Sequence, residues 1–224
     1  DPYIERIHKA SFKSRPQPAG KLTRPEISGF EVGAFQEGGT KPSCPLPYEL
    51  EANIRIEGGN AKLTLEAGNR RNKDKAAGGA FNAYSYGEKM VARAYAVRAG
   101  DVIDDTIAVG ERSHVRVDGP NGFMRELKSG GAPVVVASVR SSGSDIVLTL
   151  SDARGETDVE LKDESYGAKL APVKLKTGET RKVTISTRPG KQWYDFSVSA
   201  GTTVYRFAGR VENGKWTTSD PAMG

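Results

Sequence analysis

The feature that most constrains the fold is a pair of segments near the end of the chain in which apolar and polar residues alternate. The first covers residues 192–198 and the second covers 203–212, with Ala200-Gly201 between them. This two-residue period is that of a β-strand, and a short connection containing glycine favours a hairpin with one buried face. A weaker copy of the pattern covers residues 114–127. We therefore expect two related β-hairpins.

The two hairpins belong to a longer internal repeat. Four matches occur in the same order in both halves: Leu63-Thr64-Leu65 with Leu148-Thr149-Leu150, Ser85-Tyr86-Gly87 with Ser165-Tyr166-Gly167, Ala99-Gly100-Asp101 with Thr177-Gly178-Glu179, and Arg125 with Arg206. Their offsets are 85, 80, 78 and 81 residues. A nearly constant period indicates a tandem duplication. In this alignment, Arg125 and Arg206 occupy equivalent positions.

The remaining segments also read as short strands separated by turns. The 224 residues include 26 glycines and 12 prolines, and 37% of the residues are apolar. This pattern predicts an all-β fold of two tandem, related small β-sandwich domains of immunoglobulin-like type. The predicted organisation is a proline-rich connector at residues 1–43, a first sandwich at 44–128, a linker at 129–133 and a second sandwich at 134–224.

The first part of the chain differs from the rest. Asp1-Pro2 is suited to cap and begin a short helix, in which Ile4 and Ile7 share one face. Between residues 12 and 47, six prolines exclude a long regular element. Because this stretch also contains Phe12 and Phe30, we expect it to lie along a protein surface. The start at Asp1, with neither an initiator methionine nor a signal peptide, suggests a piece of a longer chain.

Charge gives little indication of a partner. The net charge is +5, but 33 basic residues are interleaved with 28 acidic ones. Such mixing gives a weak field, so nucleic acid is not predicted as a partner. The densest basic stretch is the loop at residues 68–75, whose cations are Arg70, Arg71, Lys73 and Lys75. This loop is either a contact for anionic headgroups or an ordinary solvated loop.

The sequence predicts no metal site and no cofactor. Cys44 is the only cysteine, which excludes an internal disulfide and a multi-cysteine zinc site. We expect a buried, unreactive thiol because no histidine or basic cluster adjoins it. The acidic residues Asp101, Asp104 and Asp105 suggest calcium, but strand alternation directs Asp104 and Asp105 to opposite faces. Surface carboxylates are the favoured interpretation.

No catalytic residue is predicted either. His8 and His114 are far apart in sequence, and neither is predicted to act as a general base. We expect His114 to face solvent from a strand. The aromatic residues of the last hairpin could in principle form a cage for a quaternary ammonium group. However, Trp193 and Tyr194 are adjacent and point to opposite faces, so we expect one set in the core and the other on the surface.

Three strings carry a resemblance to a known family. They are QEGGTKPSCPLPYEL at residues 36–50, GPNGFMRE at 119–126, and AGRVE at 208–212 with SDPAMG at 219–224. The chain resembles, over nearly its whole length, the C-terminal region of bacterial phosphocholine-preferring phospholipases C of the haemolytic and non-haemolytic type. In that family, two tandem small domains follow a large phosphoesterase domain. The metal-binding and nucleophilic residues of that domain have no matching positions here.

The resemblance implies a non-catalytic accessory region of a secreted or periplasmic enzyme that hydrolyses lipids of the phosphatidylcholine and sphingomyelin type. Its implied partner is the catalytic domain of the parent enzyme, which it would stabilise. A choline-lipid membrane or a secretion partner is a further expectation. The alternative is an independent tandem β-sandwich module for adhesion or for binding a carbohydrate or protein ligand, because a sandwich fold alone does not specify a function.

Overall fold

In a computed structural model of the chain, residues 39–87, 89–110 and 112–223 can be described. They lie within one compact unit, Glu37–Gly224. The strands are β1 Pro42–Ser43, β2 Leu50–Glu57, β3 Asn60–Ala67, β4 Gly79–Tyr86, β5 Met90–Val97, β6 Val102–Ala108, β7 Ser113–Asp118, β8 Met124–Ser129, β9 Val136–Ser142, β10 Asp145–Ser151, β11 Thr157–Asp163, β12 Val173–Leu175, β13 Arg181–Ile185, β14 Trp193–Ala200, β15 Thr203–Arg210 and β16 Thr217–Thr218. A 3-10 helix, Lys73–Lys75, lies between β3 and β4. The predicted all-β class is confirmed, whereas the predicted helix at Asp1 and most of the connector lie outside the described residues.

The strands form one large sheet and three smaller ones. The large sheet has eight strands in the order β12-β11-β14-β15-β8-β7-β4-β5. The sheets β2-β3-β6 and β13-β10-β9 have three strands each, and β1 pairs with β16. A single core cluster takes residues from both three-stranded sheets and from the large sheet. This is a layered β-sandwich whose large sheet runs through both halves of the sequence.

The strand order of the large sheet has a regularity at its centre. Outward from the central pair, one side reads β8, β7, β4, β5 and the other reads β15, β14, β11, β12. Each strand on the first side therefore has an equivalent on the second side, at the same distance from the centre, that comes seven strands later in the chain. The central pair β8 and β15 is antiparallel, from Thr203 opposite Ser129 to Ala208 opposite Met124. The order agrees with a duplicated unit, while the domain boundaries around residues 129–133 stay a prediction.

The predicted equivalence of Arg125 and Arg206 is wrong. Arg125 is only 2% exposed, whereas the Arg206 side chain is 44% exposed and lies on the other face of the sheet. Val117 is paired with Arg125 in the first hairpin, but Val198 is paired with Tyr205 in the second. Arg125 therefore corresponds to Tyr205. Because side chains alternate between faces, this difference of one residue reverses the direction of the arginine.

The inner faces of the sheets are built from aliphatic and aromatic side chains. Large buried members are Leu63, Leu65, Phe81, Val117 and Leu127 in the first half and Leu148, Leu150, Phe196, Val198 and Phe207 in the second. Full burial of such a side chain contributes roughly 1.5–3 kcal/mol relative to exposure. Tyr205 belongs to the same layer, and its hydroxyl donates to the carbonyl of Val135 at 3.0 Å. The last hairpin thus closes the core.

The prediction that one aromatic set of the last hairpin is displayed on the surface is wrong for Trp193. Tyr194 points into the core, and Trp193, on the opposite face, is also buried. The indole nitrogen of Trp193 donates to the carbonyl oxygen of Thr218 at 3.0 Å. The segment around β16 therefore covers the outer face at this point, and alternation alone does not reveal a covering segment that lies far away in sequence.

Candidate functional site

A buried polar group lies where β8 meets β15, and we call it the seam cluster: Glu51, Arg125 and Tyr194. The Arg125 guanidinium donates from Nη1 to the carbonyls of Met124 and Ala208 at 2.9 and 3.0 Å. From Nη2 it donates to the Tyr194 hydroxyl at 3.0 Å. Because Ala208 and Tyr194 belong to the second half of the chain, a single arginine from the first half joins the two halves.

Aromatic rings and a carboxylate surround this arginine. The guanidinium carbon of Arg125 lies 4.1 Å from the centre of the Phe123 ring and 5.7 Å from that of Phe207, within the range of cation-π contact. Glu51 is 7% exposed, and it accepts a hydrogen bond from the Ser141 amide at 3.2 Å. Burial raises the pKa of Glu51, and the nearby positive charge of Arg125 opposes that rise.

The space beside the seam cluster is too small for a lipid. A cavity of about 30 Å³ is lined by the three cluster residues together with Tyr48, Asn121, Glu212 and others. This is about the volume of one water molecule. A lipid headgroup is too large for this cavity. The contacts of the cluster instead connect strands from the two halves of the chain.

The chain enters the described region along a second polar assembly, the N-terminal strap, residues 41–46. In the strap, β1 pairs with β16, placing Pro42 opposite Thr218 and Ser43 opposite Thr217. The fully buried side chain of Arg210 donates to the Ser43 hydroxyl at 2.9 Å. The Leu46 amide donates to Glu212 at 2.9 Å. The beginning and the end of the described chain are thereby fastened together.

The prediction that Cys44 is buried is wrong. Cys44 is a free cysteine and is exposed. It directly follows the two-residue strand β1. This strand pairs only with β16, in a separate two-stranded sheet, and does not join the sheets that form the core. The sequence around Cys44 contains prolines and no alternation of apolar and polar residues, so no periodic pattern predicted whether the thiol is buried or exposed.

The four cations of the predicted basic loop lie on the surface between β3 and β4. Arg70, Arg71, Lys73 and Lys75 are all exposed. The Glu49 carboxylate holds the loop backbone, accepting from the amides of Arg71 and Asn72 at 2.5 and 2.9 Å. Arg70 also pairs with Glu66 at 3.1 Å. The loop has a defined backbone, and its charged side chains project into solvent.

The other candidates from the sequence are separated in the structure. His114 lies opposite in direction to the buried Val115 and Val117, as predicted, and its Nε2 is 2.7 Å from Glu126 Oε1. Asp104 accepts from Thr64, whereas Asp105 pairs with Arg93 at 2.5 Å. Over residues 39–223, apart from 88 and 111, no three His, Cys, Asp or Glu side chains are grouped as metal ligands. Within the same part of the chain, no helix has the length and apolar character needed to cross a membrane.

Sequence reasoning missed the seam cluster, although one signal was present. Phe123, Arg125 and Leu127 stand at alternate positions of one strand and therefore share a face, and the two apolar members indicate that this face points inward. The alignment with Arg206 obscured this signal. The burial of Glu51 had no such signal, because this side chain is covered by a segment from the other half of the chain.

Comparison with known proteins agrees with the resemblance described above. Residues 42–129 match the family model described as bacterial phospholipase C, C-terminal domain. The chain is 30% identical to the non-hemolytic phospholipase C of Pseudomonas aeruginosa, over 91% of this chain and 32% of that protein. It is 31% identical to the non-hemolytic phospholipase C of Burkholderia pseudomallei, over 84% of this chain and 28% of that protein.

The hemolytic phospholipase C of Pseudomonas aeruginosa is more distant. It is 24% identical over 84% of this chain and 30% of that protein. The chain thus spans about a third of the length of the curated relatives that it matches.

Proposed function

Residues 42–129 of this chain are a bacterial phospholipase C C-terminal domain, and from this membership we propose that the chain is the non-catalytic accessory region of such an enzyme. It stabilises the catalytic portion, which hydrolyses lipids of the phosphatidylcholine and sphingomyelin type. The parent protein works outside the cytoplasm, either secreted or in the periplasm. The relatives named phospholipase C support this proposal, and each is about three times as long as the match.

The observation that carries the proposal is the structural use of the buried polar groups. Arg125 donates from its two terminal nitrogens to two backbone carbonyls and to the Tyr194 hydroxyl, and the adjoining cavity has a volume of about 30 Å³. A catalytic group needs room to reach its substrate within hydrogen-bonding distance. The seam cluster offers no such room, and its contacts with Ala208, Tyr194 and Ser141 join one half of the chain to the other.

Purified chain is expected to show no turnover of p-nitrophenyl phosphorylcholine or of phosphatidylcholine vesicles, with or without added divalent metal. The reason is that the seam cluster adjoins a cavity of only about 30 Å³, and that the described residues hold no group of three His, Cys, Asp or Glu side chains placed as metal ligands. Release of p-nitrophenol and of phosphocholine measures this directly. The parent enzyme, purified in the same way, is the positive control, and metal-dependent hydrolysis by the chain alone would refute the proposal.

We also propose that the basic loop aids contact with lipid surfaces. Its four exposed cations, Arg70, Arg71, Lys73 and Lys75, project from a backbone held by Glu49. A cation near an anionic membrane surface contributes about 1 kcal/mol. Co-sedimentation with vesicles containing about 30% anionic lipid should fall at least about tenfold when all four are changed to Gln.

The matched control for the loop changes four exposed cations of the second half, Lys162, Lys174, Arg181 and Lys182, to Gln. These side chains lie on strands away from the loop. Retained binding in this control, together with loss in the loop variant, supports the proposal. Equal binding by the wild type and the loop variant removes the loop from membrane contact.

A further inference from the structure

An exposed aromatic residue stands beside the N-terminal strap. Trp216 is 70% exposed, although indole is among the side chains that gain most from burial. Ser43 is paired with Thr217 at the end of the short ladder, and Cys44 directly follows Ser43 while Trp216 directly precedes Thr217, so both residues flank the same strand pair. Cys44 is exposed as well. We call these two residues the strap patch.

The strap patch sits on a fixed support. The Lys41 amide donates to Ser219 Oγ at 3.0 Å, and the Ser219 amide donates back to the Lys41 carbonyl at 2.8 Å. Thr217, adjacent to Trp216, donates from its hydroxyl to the Lys191 carbonyl at 2.8 Å. Further along, the Tyr166 hydroxyl donates to Asp220 at 2.9 Å. These contacts fix the chain next to Trp216, so binding there costs less backbone entropy than binding to a mobile segment, which favours its use as an anchor.

We propose that the strap patch is the docking site for the catalytic portion of the parent phospholipase C, with Trp216 as its central anchor. This inference rests on the proposed function. Two observations select this occupant over others. The relatives contain roughly twice as much additional chain as the matched region, and the polypeptide reaches the described region at residue 39, directly before the strap.

The position of the strap gives the catalytic portion an advantage over any separate partner. A tethered portion has a local concentration in the millimolar range near the attachment point, so a modest contact is enough to hold it. Tryptophan is among the residues that most often dominate such contacts. The complementary surface is therefore an apolar pocket, wide enough for an indole ring, on the catalytic portion.

The unique cysteine of this chain provides the test. The rate of maleimide modification of Cys44 should be at least about tenfold slower in the parent protein than in this chain alone, because a covered thiol is inaccessible. Mass spectrometry of the Cys44 peptide gives the rate in both proteins, whatever other cysteines the parent contains. Equal rates would overturn the proposal. Protection in the isolated chain that rises with its concentration would also overturn it, because the occupant would then be a second copy.

Two variants separate docking from folding. Trp216→Ala in the parent should restore the modification rate to that of the isolated chain, while leaving the unfolding temperature of the isolated chain unchanged. Met90→Ala is the matched control, because Met90 is 57% exposed on β5 and is not part of the strap patch; Cys44 should stay protected in this variant. Protection that persists in Trp216→Ala contradicts the role of the indole. Hydrolysis by the isolated chain, measured separately, would refute the accessory function itself, whereas failure of the labelling test removes only this surface.

Discussion

Replacing Arg125 by alanine lowers the free energy of unfolding of the chain by about 3–5 kcal/mol, the usual cost of breaking a buried charged pair from one side. The removal of Arg125 leaves the Ala208 carbonyl and the Tyr194 hydroxyl without this donor and takes the larger of two compensating positive charges away from the buried Glu51. Equilibrium unfolding in urea, followed by intrinsic fluorescence, measures the change.

Arg206→Ala is the matched control for this substitution. The two arginines align in the sequence repeat, but Arg206 is half exposed and pairs with Asp195 at 2.7 Å. Although burial alone would raise the pKa of Asp195, its hydrogen bonds with Arg206 and Ser165 lower it. An ion pair at this exposure is worth about 1 kcal/mol or less. Equal losses for the two variants would contradict the difference in register between the hairpins.

The loss in Arg125→Ala should also depend on pH. Burial raises the pKa of Glu51 in the folded chain above its value in the unfolded chain. Such a carboxyl group binds its proton more tightly in the folded chain than in the unfolded chain. Protonation of Glu51 therefore favours the folded state at low pH, and this contribution is lost as the pH rises through the raised pKa. Without Arg125, the ionised form of Glu51 is less stable in the folded chain. Acidification protonates Glu51, so the difference in unfolding free energy between the wild type and Arg125→Ala should become smaller at low pH. A deficit that grows on acidification would contradict the pairing.

Replacing Arg210 by alanine is the second large change, with an expected loss of about 3 kcal/mol or more. The Arg210 side chain is fully buried, donates to Ser43 and lies 5.8 Å from the centre of the Trp193 ring. Its removal frees the N-terminal strap and leaves Glu212 buried with less positive charge nearby, although burial already raises the pKa of that carboxyl. Urea unfolding gives the loss, and limited proteolysis followed by mass spectrometry shows cleavage within residues 41–46.

Ser43→Ala gives the graded control for the strap. It removes one hydrogen bond to the guanidinium and keeps the arginine, so the expected loss is about 1–2 kcal/mol. The strap should stay resistant to proteases in this variant, because the buried Arg210 side chain keeps its place 3.5 Å from Glu212, the carboxylate that accepts from the Leu46 amide of the strap. A strap that is resistant in Arg210→Ala would show that this arginine does not hold it.

The alternation of apolar and polar residues was sufficient to predict the strands and the all-β class. Hairpins such as β14 and β15 are local, and their period of two reports the buried face directly. The same rule failed at Trp193, because its outer face is covered by β16 from farther along the chain. A local pattern of apolar and polar residues predicts a strand and its two faces, but it does not predict which distant segment of the chain covers each face.

The seam cluster shows a second limit of the sequence. The repeat was detected from matches in order, yet an insertion in the turn after β7 shifted the pairing by one residue and exchanged the faces of Arg125 and Arg206. A buried arginine is rare unless its donors find acceptors. Here two of the three acceptors, the Ala208 carbonyl and the Tyr194 hydroxyl, come from strands of the other half. The pairing of β8 with β15 joins residues far apart in sequence, and the sequence of neither strand alone predicts it.

The measurement that tests the accessory role most directly is the temperature at which the parent enzyme loses phosphocholine-ester hydrolysis, with and without residues 39–224. The account predicts an unchanged rate per molecule at low temperature and a clearly lower inactivation temperature without this region. An inactivation temperature that does not change, or a rate per molecule that vanishes while the catalytic portion stays folded, would contradict it.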